Sequence, residues 1–160
     1  MPKWKPSDIA HQLEYARERG WLPAFYDAAA LYRVDPELLM GIASRETNMK
    51  NILGDGGHGH GLMQIDDRSF PAWTKSGKWR FAKEGILKGA LVLREKWDRA
   101  LFKKVPLADS LKVAVASYNA GDNAVKAYFK NGNPDARTTG KDYSRDVLSR
   151  QIEFERLLST

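Results

Sequence analysis

Apolar residues recur every three or four positions along most of this chain, which is the spacing of one face of an α-helix. In residues 81–104, nearly a single face carries Leu87, Ala90, Leu91, Arg94, Trp97 and Leu101. Similar spacing and helix-favouring composition elsewhere predict a mostly helical protein. The predicted helices cover residues 6–20, 23–34, 35–47, 81–104, 107–121, 122–130 and 141–158.

Local start and stop signals define several of these boundaries. Ser7 is a candidate N-cap for the first helix, which should end near Gly20. Asp35 at the N-cap and Pro36 at the first helical position form a strong start for the third helix. Gly121 stands where the helix over 107–121 should stop, because glycine is the favoured residue just after a helix.

Residues 53–66 interrupt the helical pattern. Five glycines fall within the eight residues 54–61, and so much glycine would be costly inside a helix. The segment "GLMQI", residues 61–65, predicts a short strand instead. The fold class is therefore mainly α (α+β): a helical bundle that carries one small Gly-rich β element after its third helix.

Length and composition indicate a globular protein. The chain has 160 residues, 42% hydrophobic and 29% charged, which predicts one domain over residues 1–160. No apolar run is long enough to span a bilayer, and "MPKWKPSDIA" lacks the apolar stretch of a secretory signal. Cysteine is absent, which excludes a disulfide scaffold, a thiolate metal site and a cysteine nucleophile.

The net charge of +6 favours a polyanionic partner, such as nucleic acid, anionic lipid or a bacterial cell wall. The basic residues are scattered among acidic ones and form no dense block. We therefore expect attraction to an anionic matrix, no nucleic-acid partner and no stable membrane insertion.

Glu46 is the first candidate for chemistry. On the helix over 35–47 it points within about 20° of Leu39 and about 40° of Ile42, so it continues the apolar stripe. A carboxyl group turned toward an apolar wall should have a raised pKa, and a neutral carboxylic acid can serve as a general acid. The alternative is a glutamate at a fraying helix end with its carboxylate in solvent.

Asp55 and Asp66 flank the glycine-rich segment. Such loop aspartates commonly cap backbone N–H groups, and this alternative stays open for both. Together with a protonated Glu46 they match the pattern of glycoside hydrolysis, in which one carboxyl group gives a proton and another orients water. The glycines would let the backbone approach a bulky ligand, or would simply form a flexible hairpin.

His58 and His60 raise the question of a metal site, but their spacing matches no standard zinc signature. We expect loop residues that line the cleft, and neither a metal nor an organic cofactor. Tyr118 and Asn119 end an apolar helix. From the residues alone, Tyr118 is a core residue and Asn119 a helix terminator.

Four blocks occur in a characteristic order: "SRET", "GDGGHGHGLMQID" followed by "DRS", "VASYNAG" and "DYSRDVLSR". In these blocks, over roughly residues 35–150, the chain resembles the goose-type lysozymes, which are related to the lytic transglycosylases. The resemblance implies a lysozyme-like helical fold, with N-terminal helices over 1–34 and a catalytic core over 35–160. It also implies cleavage of the bond between N-acetylmuramic acid and N-acetylglucosamine in peptidoglycan.

Carried over residue by residue, the resemblance implies that Glu46 is the catalytic acid and that Asp55 and Asp66 position water. The implied substrate-binding residues are His60, Gln64, Tyr118, Asn119 and Tyr143. Tyr118 and Asn119 would border the acetamido sugar site. The chain departs from the family pattern at Phe70, where goose-type enzymes often have histidine, and in lacking the disulfides of the animal enzymes.

The resulting hypothesis is a muramidase that inverts configuration, which requires carboxyl separations of about 6.5–9.5 Å. The alternative is a lytic transglycosylase, which yields 1,6-anhydro products without water. A catalytically silent wall-binding module is a further alternative. We expect a monomeric phage endolysin, made in the bacterial cytoplasm without a signal peptide, that reaches the wall after release.

Overall fold

The computed structural model describes residues 2–160. In this range it contains eight α-helices and one small antiparallel sheet. The helices are α1 (Pro6–Glu18), α2 (Leu22–Tyr32), α3 (Pro36–Thr47), α4 (Pro71–Lys75), α5 (Ala82–Phe102), α6 (Leu107–Ala120), α7 (Asp122–Asn131) and α8 (Tyr143–Leu158). The sheet has the order β1 (Leu53–Gly54), β2 (Gly59–His60), β3 (Ile65–Asp66). The predicted mainly α fold class with a small β element is confirmed.

The chain divides into two compact units. The first unit contains the residues up to Ala90 together with Ser149–Thr160, and the second unit contains Leu91–Leu148. The single-domain organisation stays a prediction. No helix within residues 2–160 has the length and apolar character needed to cross a membrane.

The predicted N-cap of α1 is wrong, whereas the predicted start of α3 and the predicted end of α6 are confirmed. The N-cap of α1 is Lys5 and not Ser7, because the Asp8 carboxylate accepts a 2.8 Å hydrogen bond from the Lys5 backbone N–H. α3 begins at Pro36 after Asp35, as predicted. α6 ends before Gly121, whose φ of 59° suits glycine.

The strand predicted over residues 61–65 is also wrong for most of its length. Only Ile65 lies in a strand, and residues 61–64 form a turn. The reason lies in the backbone, because Gly61 (φ 82°) and Gln64 (φ 51°) both adopt left-handed conformations that an extended strand excludes. The short helix α4 follows this region and was not predicted from the pattern.

The core of the first unit surrounds α3. Its residues 38–43 are buried on every side, including Leu38, Leu39 and Ile42. Ser44 is fully buried as well, and its hydroxyl donates to Gln12 Oε1 (2.5 Å) and accepts from Arg150 Nη1 (2.9 Å). These two bonds tie α3 to α1 and α8, and they fix the helix two residues before Glu46.

The second unit is stabilised by an apolar cluster and by one buried carboxylate. The cluster contains Ala100, Val105, Val113 and Val125, with Tyr128 packed against it. The carboxylate belongs to Asp135, which is 3% exposed. It accepts hydrogen bonds from the Ser144 backbone N–H (2.8 Å), the Ser144 hydroxyl (2.8 Å) and the Arg145 N–H (3.2 Å). Asp135 therefore caps the first turn of α8, whose leading N–H groups have no partner within the helix.

Candidate active site

Glu46 lies in the last turn of α3 and is half-buried, which agrees with its predicted position beside the apolar stripe. The helix ends directly after it, because Asn48 (φ 53°) and Met49 (φ 65°) are both left-handed. Thr47 then joins the helix end to the loop that follows. Its hydroxyl donates to the backbone carbonyl of Leu62 (3.0 Å) and accepts from the Lys50 N–H (3.1 Å). The segment with the aspartates is thus anchored one residue from Glu46.

The register of the sheet brings the two aspartates together. β1 pairs with β2 through Gly54 opposite Gly59, and β2 pairs with β3 through Gly59 opposite Asp66. Asp55 directly follows β1, at the start of a 3₁₀ turn, with φ of 51°. A left-handed non-glycine residue is strained and is frequent at functional sites. Strand pairing therefore places Asp55 and Asp66 at the same end of the sheet, although they are eleven positions apart in sequence.

Arg68 bonds both aspartates. Its Nη2 donates to Asp55 Oδ2 (2.8 Å) and to Asp66 Oδ2 (2.8 Å). Its Nε donates to Asp66 Oδ1 (2.9 Å) and Oδ2 (3.2 Å), and its backbone N–H donates to Asp66 Oδ1 (2.8 Å). Sequence analysis did not identify Arg68 as a site residue. The sequence did contain a signal for this role, because a cationic residue stands two positions after Asp66, within the "DRS" block.

Arg68 also makes the Asp66 carboxyl group more acidic. The hydrogen bond from its guanidinium lowers the pKa of Asp66 below the usual range, although partial burial acts in the opposite direction. The nearby positive charge that His58 can carry lowers the pKa of Asp66 further. In turn, the hydrogen bond to Asp66 raises the pKa of Arg68. Asp66 therefore stays ionised to a lower pH than an aspartate without this partner.

The two histidines of the loop make internal contacts. His58 Nδ1 lies 2.9 Å from Asp67 Oδ1. His60 Nδ1 lies 3.0 Å from the His58 carbonyl oxygen, and its ring packs edge-to-face on Trp79 at 5.3 Å between ring centroids. Within residues 2–160, no group of three or more histidine, aspartate or glutamate side chains is placed to hold a metal ion. The substrate role of His60 stays a prediction.

Gln64 explains two of the glycines. Its amide nitrogen donates to the carbonyls of Ile52 (3.0 Å) and Gly61 (2.9 Å). Its side-chain oxygen occupies the space where a Cβ on Gly54 or Gly59 would lie. Glycine is therefore needed at these two positions to accommodate Gln64. The Gln64 side chain occupies the space beside them that we expected a ligand to use. The substrate-binding role of Gln64 stays a prediction.

Asn51 and Phe70 lie beside this loop. Asn51 accepts from the Leu62 N–H (2.8 Å) and donates to the carbonyls of Trp79 (3.2 Å) and Arg80 (3.0 Å), so it joins the loop to the segment after α4. Phe70, where the resemblance led us to expect histidine, has the Lys88 ammonium 4.4 Å from its ring centroid. This position therefore holds a cation–π pair.

The remaining candidates belong to the second unit. Asn119 is exposed in the last turn of α6, where its amide donates to Thr139 Oγ1 (3.2 Å) and accepts from the Thr139 N–H (2.9 Å). Tyr118 is half-buried, and Tyr143 is only 1% exposed at the start of α8. The roles of these three residues in binding substrate stay predictions.

Comparison with known proteins gives a family match over most of the chain. The family model described as "Lysozyme g" matches residues 12–156. A lysozyme g of Takifugu rubripes is 35% identical over 92% of this chain and 80% of its own length. The lysozyme G of Dromaius novaehollandiae is 36% identical over 73% of this chain and 57% of its own length.

The chain therefore belongs to the lysozyme g family. The match begins at residue 12, which extends the resemblance well upstream of residue 35, where sequence analysis placed its start. The lysozyme g of Gallus gallus is also similar, at 33% identity over 76% of this chain and 57% of its own length. The chain thus spans more than half the length of each of these relatives.

Proposed function

We propose that this protein is a peptidoglycan muramidase that hydrolyses the β-1,4 bond between N-acetylmuramic acid and N-acetylglucosamine with inversion of configuration. Membership of the lysozyme g family makes it a glycoside hydrolase of the goose type. One observation supports the inverting mechanism most directly. Arg68 bonds both Asp55 and Asp66, and the loop that carries them is anchored beside Glu46.

Glu46 acts as the general acid in this proposal. Its carboxyl proton passes to the glycosidic oxygen as the bond from that oxygen to the anomeric carbon breaks. Because Glu46 is half-buried at the end of a buried helix, its carboxyl group has limited access to solvent. Limited solvation disfavours the charged form and so favours a carboxyl group that still carries the proton.

Asp55 and Asp66 act on the nucleophile. A water bound between two carboxylates donates its hydrogens to them and presents its oxygen lone pair to the anomeric carbon. As that carbon is attacked, one water proton passes to an aspartate and the remaining hydroxyl stays on the sugar. The negative carboxylates also stabilise the positive charge that develops on the sugar ring in the transition state.

Product analysis tests this function. Digestion of purified peptidoglycan should give muramic acid reducing ends, and NMR of fresh products should show the α-anomer formed first from the β-linkage. Asp55→Ala and Asp66→Ala should each slow hydrolysis by about 10²–10³-fold, since each removes part of the water-binding site. Asp67→Ala is the matched control, because Asp67 bonds His58 on the same loop and not Arg68.

Wild-type products that are lighter by one water would contradict the proposal. Such 1,6-anhydro products are those of a lytic transglycosylase, in which the sugar's own hydroxyl attacks. A first-formed β-anomer would contradict inversion but not hydrolysis, so mass spectrometry and NMR distinguish these two failures.

We further propose that the protein serves as a phage endolysin. The net charge of +6 supports a protein that binds an anionic wall, and the absence of cysteine sets this chain apart from the disulfide-bonded animal enzymes that it resembles. Expression in a host bacterium should leave the culture intact until a membrane-permeabilising protein is co-expressed, whereupon turbidity should fall within minutes. Lysis without permeabilisation would contradict this role.

A further inference from the structure

We propose that Arg68 is a positioning residue that holds the Asp55 and Asp66 carboxylates at one spacing, and that it thereby makes water, and not the sugar's own hydroxyl, the nucleophile. This inference rests on the proposed muramidase function. Hydrolysis and 1,6-anhydro formation begin with the same proton transfer, and in this proposal Arg68 determines which of the two follows.

The hydrogen bonds of Arg68 are unequal. Asp66 is held firmly, by the Arg68 backbone N–H and by two guanidinium nitrogens. Asp55 is held through a single nitrogen, Nη2, and its side chain is 67% exposed. Asp55 also lies among Gly54, Gly56 and Gly57, where the backbone has wide conformational freedom. Arg68 is therefore the group that restrains Asp55 relative to Asp66.

Charge repulsion between the two aspartates also indicates that Arg68 restrains Asp55. Two neighbouring carboxylates repel each other in water, and more strongly where solvent is excluded. The guanidinium places a positive charge between them and offers donors in a rigid planar fork. Without it, repulsion would move Asp55 outward on its glycine-rich turn, and the distance between the two water-binding groups would increase.

The two competing reactions differ in the attacking hydroxyl and in the face of the sugar that it attacks. In hydrolysis, a water oxygen bonds to the anomeric carbon, the glycosidic C–O bond breaks, Glu46 protonates the leaving oxygen and an aspartate takes the water proton. In the intramolecular reaction, the glycosidic C–O bond breaks with the same protonation by Glu46. The sugar's C6 hydroxyl then bonds to the anomeric carbon on the face that the leaving oxygen vacated, and its proton passes to the Glu46 carboxylate. A water held at a fixed position favours hydrolysis through proximity.

A role of Arg68 in catalysis can be distinguished from a role in stability. Arg68 is 57% exposed, Asp55 is 67% exposed and Asp66 is 37% exposed. Ion pairs at exposed sites contribute little to folding, because solvent screens them and ordering long side chains costs entropy. Variants of Arg68 should therefore fold normally, and their effects should be visible in the products.

The test compares Arg68→Gln and Arg68→Lys with wild type on soluble peptidoglycan fragments. Arg68→Gln should lower kcat for hydrolysis by about 10²-fold with KM changed less than about threefold, as expected when a group acts mainly in the transition state. Its products should contain a larger fraction of 1,6-anhydro ends than those of wild type. Arg68→Lys should be intermediate, because an ammonium keeps the charge but lacks the planar fork.

Arg99→Gln is the matched control. It removes the same charge from an exposed arginine that pairs with Asp122 in the second unit. This variant should keep the wild-type kcat and product ratio. Equal losses in Arg99→Gln and Arg68→Gln would overturn the proposal, since charge alone would then explain them. A wild-type kcat and product ratio in Arg68→Gln would overturn it too, while leaving the muramidase function intact. If wild type itself gave only 1,6-anhydro products, the muramidase function would fall first.

Discussion

Replacing Glu46 by glutamine should abolish lysis of bacterial walls while leaving wall binding unchanged. Glutamine has the size of glutamate and its amide can make similar hydrogen bonds, but it has no acidic proton to give to the glycosidic oxygen. General acid catalysis contributes about 10²–10⁴-fold, and the poor alkoxide leaving group places this case at the upper end. Turbidity loss of wall suspensions measures lysis, and co-sedimentation with peptidoglycan measures binding.

Glu37→Gln is the control for this experiment. Glu37 lies in the first turn of the same helix and is also half-buried, so the substitution is chemically identical but far from the loop that carries the aspartates. It should retain full lytic activity. Lysis by Glu46→Gln at the wild-type rate would show that another group supplies the proton. A wild-type protein that binds walls without cleaving them would support the alternative of a silent binding module.

Replacing Asp135 by alanine should lower the free energy of unfolding by about 3 kcal/mol. The substitution leaves the buried Ser144 N–H without the carboxylate, and an unsatisfied buried donor costs about 1–3 kcal/mol. The partly buried Arg145 N–H loses its partner as well. The loss of a carboxylate near the positive end of α8 adds to this cost. At roughly 2–4 °C per kcal/mol for a chain of this size, Tm should fall by about 6–12 °C. Differential scanning calorimetry measures both quantities.

Asp122→Ala provides the comparison for Asp135. Asp122 is also an aspartate at the start of a helix in the second unit, but it is exposed and pairs with Arg99. Its replacement should change the free energy of unfolding by less than about 1 kcal/mol. If the two variants were equally stable, the capping role of Asp135 would be wrong. If Asp135→Asn recovered most of the stability, the hydrogen bonds and not the charge would be the larger contribution.

Much of the fold could be predicted because apolar residues recur at helical spacing in the sequence of an amphipathic helix. The stripe in residues 81–104 became α5, and Asp35, Pro36 and Gly121 marked helix ends where backbone chemistry leaves few choices. Ser7 failed as a cap because Asp8, three residues after Lys5, bonds the Lys5 N–H and makes Lys5 the N-cap. Residues 61–65 failed as a strand because Gln64 adopts a left-handed conformation, which no residue type except glycine and asparagine makes probable in advance.

The site was predictable only in part. Glu46 could be placed on the buried side of its helix from spacing, and Asp55 and Asp66 came from the order of the sequence blocks. Arg68 was missed because an exposed arginine is usually a solvated surface residue. Its bond to Asp55 depends on strands of only two residues each, whose register cannot be read from alternation. Asp135 was missed because its partners lie nine and ten residues further on.

Hydrogen bonds to main-chain atoms hold the loop that carries Asp55 and Asp66 in place. Thr47, Asn51 and Gln64 all bond backbone atoms of this loop, at Leu62, Gly61 and Ile52. None of these bonds depends on the identity of the side chains that point outward. An engineer could therefore exchange exposed positions such as Ile52 and Leu53 to alter the preference among wall polymers without redesigning the scaffold. Natural selection has had the same freedom, so diversification in this family should concentrate on the outer face of the loop.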